Sequence, residues 1–148
     1  MENKDFTTSI VVEQSAQKVF EAINKVSEWW QGEITGKSHN LNDEFKYNMM
    51  DFHISKQKVV ELIPNKKVVW LITESNLSSF THNTEWTGTK IVFEISEQDN
   101  KTLLRFTHLG LVPKFQCYGD CSGAWTDLIQ KSLFSLITTG KGVKVFNL

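Results

Sequence analysis

The feature that most constrains this chain is an apolar stripe near its C-terminus. Trp125, Leu128, Ile129, Ser132, Leu133, Leu136 and Ile137 recur at steps of three and four. That spacing predicts one face of a long helix, opening at Asp120 or Ser122. Gly140, with Lys141 just beyond, sits where a C-terminal glycine cap belongs. An isolated helix cannot leave such a stripe in water, so its partner must lie elsewhere in the chain.

The partner is legible upstream. Phe6 to Glu13 alternates and is rich in β-branched residues, as a strand requires. Ser15 reads as a helix N-cap, with Ala16, Val19, Phe20 and Ile23 at helical spacing to about Asn24. A second helical turn is expected at Ser27 to Gln31, carrying Trp29 and Trp30 before Gly32 and Gly36 interrupt it. Strands follow around Phe45, Tyr47 and Met49, then from Phe52 to Ile63, from Lys67 to Thr73, from Lys90 to Ser96 and from Thr102 to Leu109. Pro64-Asn65 and Gln98-Asp99-Asn100 are turn sequences. Glu74 to Asn83 and Gly110 to Gly119 read as loops. Short turns between neighbouring strands imply an antiparallel sheet. The expected class is α+β: a curved antiparallel sheet of about six strands wrapped on the long helix, with two short helices after the first strand. Residues 1–148 read as a single domain, with no repeat, linker or boundary.

Composition excludes several functions. Sixteen basic and 17 acidic residues are interspersed, with no basic block to track phosphates, so no nucleic-acid partner is expected. No apolar run approaches the ~20 residues of a membrane span. The polar start of the chain lacks the pattern of a signal peptide, and a cytoplasmic location follows by default. In that compartment Cys117 and Cys121 are expected as two reduced thiols. Their C-x3-C spacing, with only His108 near in sequence, falls short of the four ligands of a zinc site; no metal and no cofactor are expected.

Several segments carry a family resemblance. Lys58-Val59-Val60-Glu61-Leu62-Ile63-Pro64, followed by Val68-Val69-Trp70, resembles the strand-turn-strand signature of the helix-grip, START-like (SRPBCC) superfamily. Glu85-Trp86-Thr87-Gly88-Thr89 resembles its W-x-G-T strand, and TLLRFTHLG from Thr102 to Gly110 its T-H-x-G strand. Gly123-Ala124-Trp125 resembles its entry into the final helix. Together, from about Phe6 to Gly140, they resemble bacterial proteins similar to the C-terminal domain of the activator of heat-shock-protein-90 ATPase. The resemblance implies the helix-grip fold and a groove under the long helix that takes lipids, steroids, polyketides or other apolar molecules. It also implies, as alternatives, a chaperone contact or a small enzyme of cyclase or hydrolase type.

Three roles are weighed on the residues themselves. For a binding module, Tyr47, Trp70, Trp86, Phe106, His108, Trp125 and Ile129 face the groove, with Trp29 or Trp30 closing one end and Trp30 taken as the ligand contact. Aromatic walls with few polar tips suit a small, flat apolar ligand carrying one oxygen. For an enzyme, His108 is the candidate acid-base group, placed by strand parity with Leu104 and Phe106. No Ser-His-Asp order, G-x-S-x-G or glycine-rich phosphate loop accompanies it. For an interaction protein, Phe115, Tyr118 and Phe134 lie off the core stripe, and Phe134 marks a face for a homodimer.

Overall fold

The computed structural model describes residues 4–146. The chain runs β1 (Phe6–Val12), α1 (Ala16–Asn24), α2 (Val26–Trp29), β2 (Glu33–Gly36), β3 (Glu44–Met49), β4 (His53–Ile63), β5 (Lys67–Leu77), β6 (Lys90–Gln98) and β7 (Lys101–Leu109). A final rod over residues 118–139 follows: α3 (Tyr118–Asp127), a π-helical segment (Leu128–Leu133) and α4 (Phe134–Thr139). The strands form one seven-stranded sheet in the order β1-β7-β6-β5-β4-β3-β2. Every neighbouring pair is antiparallel. This is the helix-grip α+β arrangement, with the rod against the concave face.

Local chemistry explains the elements. The Ser15 side chain accepts from the Lys18 amide and caps α1, whose Val19, Ala22 and Ile23 turn inward. Asp99 and Asn100 adopt positive φ between β6 and β7, the turn geometry that suits a tight hairpin. Two register shifts in β4, at Lys56/Gln57 and Val59/Glu61, bend the sheet around the rod. Gly140, at φ 90°, ends α4 in the left-handed conformation.

Four features differ from the sequence reading. β2 is a strand of only four residues, too short to show a period; its pairing with β3 makes it one. β5 continues to Leu77 through a stretch expected as loop, because Glu74, Ser75, Asn76 and Leu77 pair with Lys56, Ser55, Ile54 and His53. Cross-strand partners override the poor strand propensity of these polar residues. The helix opens at Tyr118 rather than at Asp120 or Ser122, and six of its residues are π-helical. Finally, Cys117 and Cys121 are joined in a disulfide and are not free thiols. The expectation of reduced thiols rested on compartment. The C-x3-C spacing on one helical turn sets the Cα atoms 5.5 Å apart, a separation a disulfide spans.

Candidate functional site

The groove between sheet and rod divides into two parts. Toward α4 it is filled. Trp29, Trp70, Phe93 and Phe106 are buried there with Ile129, Leu133 and Ile137. Trp70 meets Phe93 at 5.0 Å and Phe45 at 4.9 Å, both edge to face, and Phe93 meets Phe106 at 5.3 Å. Toward the N-terminal end of α3 the groove opens into a cavity of about 470 Å³. The rod contributes to the change. Asp120, Cys121, Ala124, Trp125 and Leu128 line the cavity from it, and two of these, Cys121 and Ala124, are small where the later turns offer leucine and isoleucine.

Aromatic rings make most of the cavity wall: Trp30, Tyr47, Phe52, Phe80, Trp86 and Trp125. Trp30 and Tyr47 stack at 4.0 Å, and Trp86 and Trp125 stack at 5.8 Å. The Tyr47 hydroxyl donates to the Gln31 carbonyl at 2.6 Å, and burial holds its phenol above the ordinary value. Leu77, on the part of β5 expected as loop, lines the cavity too. Asp120, at its rim, is the one charged side chain among the described lining residues.

Of the residues the sequence placed in the groove, Trp30, Tyr47, Trp86 and Trp125 line this cavity. Trp70, Phe106, His108 and Ile129 face the same groove but lie fully buried in its packed part. Strand parity identifies the face a residue takes. It says nothing of the distance along the groove, which separates the two sets.

His108 holds the cavity's back wall through a relay. The Trp125 indole N–H donates to His108 Nδ1 at 3.1 Å. An indole can only donate, so Nδ1 carries no proton and the ring proton sits on Nε2. Nε2 therefore donates to Thr89 Oγ1 at 2.7 Å, and the Thr89 hydroxyl donates onward to the Trp86 carbonyl at 2.5 Å. Burial, with the proximity of His53, pushes the His108 pKa down to about 3. The ring is neutral, and each of its nitrogens is occupied.

His53 belongs to the cavity itself. It lies edge-on between Tyr47 at 5.2 Å and Trp86 at 4.6 Å. Burial pushes its pKa down to about 4, so it too is neutral near pH 7. His53 Nε2 and the Trp86 indole N–H have no hydrogen-bond partner among the described residues. Its parity with Ser55, Gln57 and Val59, the inward face of β4, was the signal that could have placed it. Among the described residues no three His, Cys, Asp or Glu side chains converge as metal ligands. No helix among them is long and apolar enough to cross a membrane.

Comparison with known proteins agrees with this architecture. The sequence model of the family described as activator of Hsp90 ATPase homolog 1-like protein matches residues 13–137. The structure is similar to the solution structure of the Aha1 dimer from Colwellia psychrerythraea, with 25% identity and a TM-score of 0.75, covering 94% of this chain and 99% of that one. It is similar in fold to protein SSP2350 from Staphylococcus saprophyticus, with 13% identity and a TM-score of 0.67, covering 97% and 98%. Protein MLL2253 from Mesorhizobium loti shares the fold at 14% identity and a TM-score of 0.67, covering 93% and 99%. No curated protein matches the chain in sequence.

Proposed function

This chain belongs to the family of activator of Hsp90 ATPase homolog 1-like proteins, and on that premise we propose that it binds a small, flat, uncharged apolar molecule in the cavity under α3. The observation that carries this reading is a space of about 470 Å³ walled by aromatic rings at the open end of an otherwise filled groove. A space of that kind is costly to leave unfilled, because its walls forgo dispersion contacts. The ligand's polarity follows from the wall. No basic side chain among the described residues lines the cavity to meet a carboxylate or phosphate, and His53 is neutral. One hydroxyl or carbonyl oxygen would satisfy the unpaired Trp86 N–H or His53 Nε2. Polycyclic phenols and sterol-like or polyketide-like molecules fit this description better than fatty acids. The occupied nitrogens of His108 support a positioning role for it, holding Trp125 and Thr89, and give no support to acid-base catalysis.

A thermal-shift screen against fatty acids, sterols, flavonoids and other aromatic metabolites tests the reading. A ligand that binds the native state alone stabilises it by about 2.7 kcal/mol at a hundredfold excess over its Kd. A saturable shift confined to one uncharged aromatic class is expected. An absence of any shift across the panel would sink the binding function.

A second reading has its own observation. Val11 on β1 and Phe134 on α4 are 54% and 38% exposed and line one shallow surface groove together. With a dimeric relative at 25% identity, this face suits a homodimer contact. Sedimentation across a concentration series, repeated with Phe134→Ser, decides it: dimers that vanish in the variant support the reading, and a wild-type monomer throughout removes it.

A further inference from the structure

Beyond α4 the chain turns back over the cavity, and its last described residues form part of the wall. Val145 and Phe146 both line the cavity, so a ligand in the proposed binding site would touch them. The two ends of this strap are held very differently.

Its root is fixed. The Ser132 hydroxyl donates to the Trp29 carbonyl at 2.8 Å and accepts from the Val143 amide at 3.2 Å, tying the rod, α2 and the strap together. Gly142 lies so close to the Glu28 carbonyl that a Cβ there would collide with it, and the same Cβ would meet Ser132 Oγ at 3.0 Å. This is a backbone approach that only glycine allows.

Among the described residues, one side chain supplies the hydrogen bonds of its tip, residues 145–146. Gln31 Oε1 accepts from the Val145 amide at 2.7 Å and from the Phe146 amide at 2.9 Å. Gln31 Nε2 donates to the Phe146 carbonyl at 3.1 Å. These three are the hydrogen bonds of Val145 and Phe146 among the described residues, and neither residue pairs with the sheet. Both side chains are only partly buried against the core. Gln31 does not itself line the cavity.

We propose that the tip of this strap, residues 145–146, is the door of the cavity and that Gln31 is its latch, so that ligand enters and leaves when the tip swings out about the fixed root at Gly142–Val143. The inference rests on the binding reading above for what passes the door, but the latch can be tested without any ligand. A segment with few buried contacts and one set of hydrogen bonds opens locally while the fold stays intact. Both strap amides share one acceptor oxygen, so breaking that contact frees them together.

The first experiment is amide hydrogen exchange by NMR on wild type and Gln31→Ala. Exchange at Val145 and Phe146 is expected to accelerate about tenfold or more, as the loss of three neutral hydrogen bonds implies. Val143 is expected to stay within about twofold, because Ser132 still holds it. Unchanged exchange at 145–146, or equal acceleration at 143, would overturn the latch. The second is stopped-flow uptake of N-phenyl-1-naphthylamine, a neutral fluorescent probe. Entry and exit should both speed about tenfold in Gln31→Ala, with Kd within about threefold, and a variant ending at Lys144 should match the faster entry rate. A freed tip with unaltered probe rates would overturn the door. A wild type that takes up no probe, with the exchange result as expected, would count against the binding reading and leave the latch standing.

Discussion

The two parts of the groove are built from the same materials and end in opposite states. The part beside α4 sets Trp29, Trp70 and Phe93 against Leu133, Leu136 and Ile137, and it is solid. The part beside α3 sets Trp30, Tyr47 and Trp86 against Cys121, Ala124, Trp125 and Leu128 of the rod, and it encloses a cavity. Aromatic content does not distinguish them. The rod differs between them: beside the cavity two of its lining residues, Cys121 and Ala124, are small, and the turns beyond Leu128 carry leucine and isoleucine against the sheet. The π-helical segment at Leu128–Leu133 lies at the junction, with the Phe134 amide reaching back to the Ile129 carbonyl. Such segments re-aim a helix face and recur beside functional sites.

The largest expected effect comes from breaking the solid part. Phe93→Ala removes a ring buried on all sides and should cost about 3–5 kcal/mol in denaturant unfolding. Phe80→Ala, at the partly buried cavity wall, should cost about 1 kcal/mol, since part of that ring already faces open space. Similar losses at the two sites would erase the distinction between them.

Acid should act on both parts through one histidine in each. The folded pKa values, about 4 for His53 and about 3 for His108, lie below the unfolded value of 6.5. The unfolded chain therefore binds more protons in this range, and stability present above pH 6.5 is lost as pH falls toward 4 and then 3. Each histidine should contribute a slope of about 1.4 kcal/mol per pH unit below 6.5. His53→Phe should halve that slope, read from urea titrations between pH 7 and 5; a flat profile in wild type would contradict the neutral, buried state of both rings.

Added volume should sharpen the contrast. Ala22→Leu, on the buried face of α1, overpacks the core and should cost about 1–3 kcal/mol. Ala124→Leu has the cavity to grow into and should cost less than about 1 kcal/mol. The smallest effect belongs to the outer face of the rod. Phe134→Ser should change unfolding free energy by no more than about 0.5 kcal/mol at concentrations where the protein is a monomer.

Much of this architecture could be read from spacing. The 3.6-residue stripe from Trp125 to Ile137 required a sheet, and alternation and apolar β-branched runs marked six of the seven strands, all but β2. Ser15 and Gly140 marked their helix ends because caps act over one turn of chain. The rest depends on contacts far apart in sequence. β2 and the end of β5 exist because neighbouring strands pair with them, and local propensity says nothing of that. Parity put Tyr47, Trp70 and Phe106 on one face, but Trp70 and Phe106 sit at its filled end, and Trp86, in the segment whose resemblance implied a strand, reaches the cavity from the turn between β5 and β6. Part of the missing coordinate was available in the helix, where Trp125 is the one large apolar residue between Gly119 and Asp127, before Leu128, Ile129 and Leu133. The strap had no signal at all: nothing in Val145-Phe146 announces that Gln31, more than a hundred residues away, will hold it.

The proposed function stands on the space under α3 being a binding site. Fluorescence titration of N-phenyl-1-naphthylamine into wild type and Ala124→Leu, with the melting temperature of each measured alongside, tests it most directly. The account predicts saturable binding to wild type and at least a tenfold weaker Kd in the variant, about 1.4 kcal/mol, with no drop in melting temperature beyond a few degrees. Equal affinity in the two proteins would place the probe elsewhere and contradict the claim.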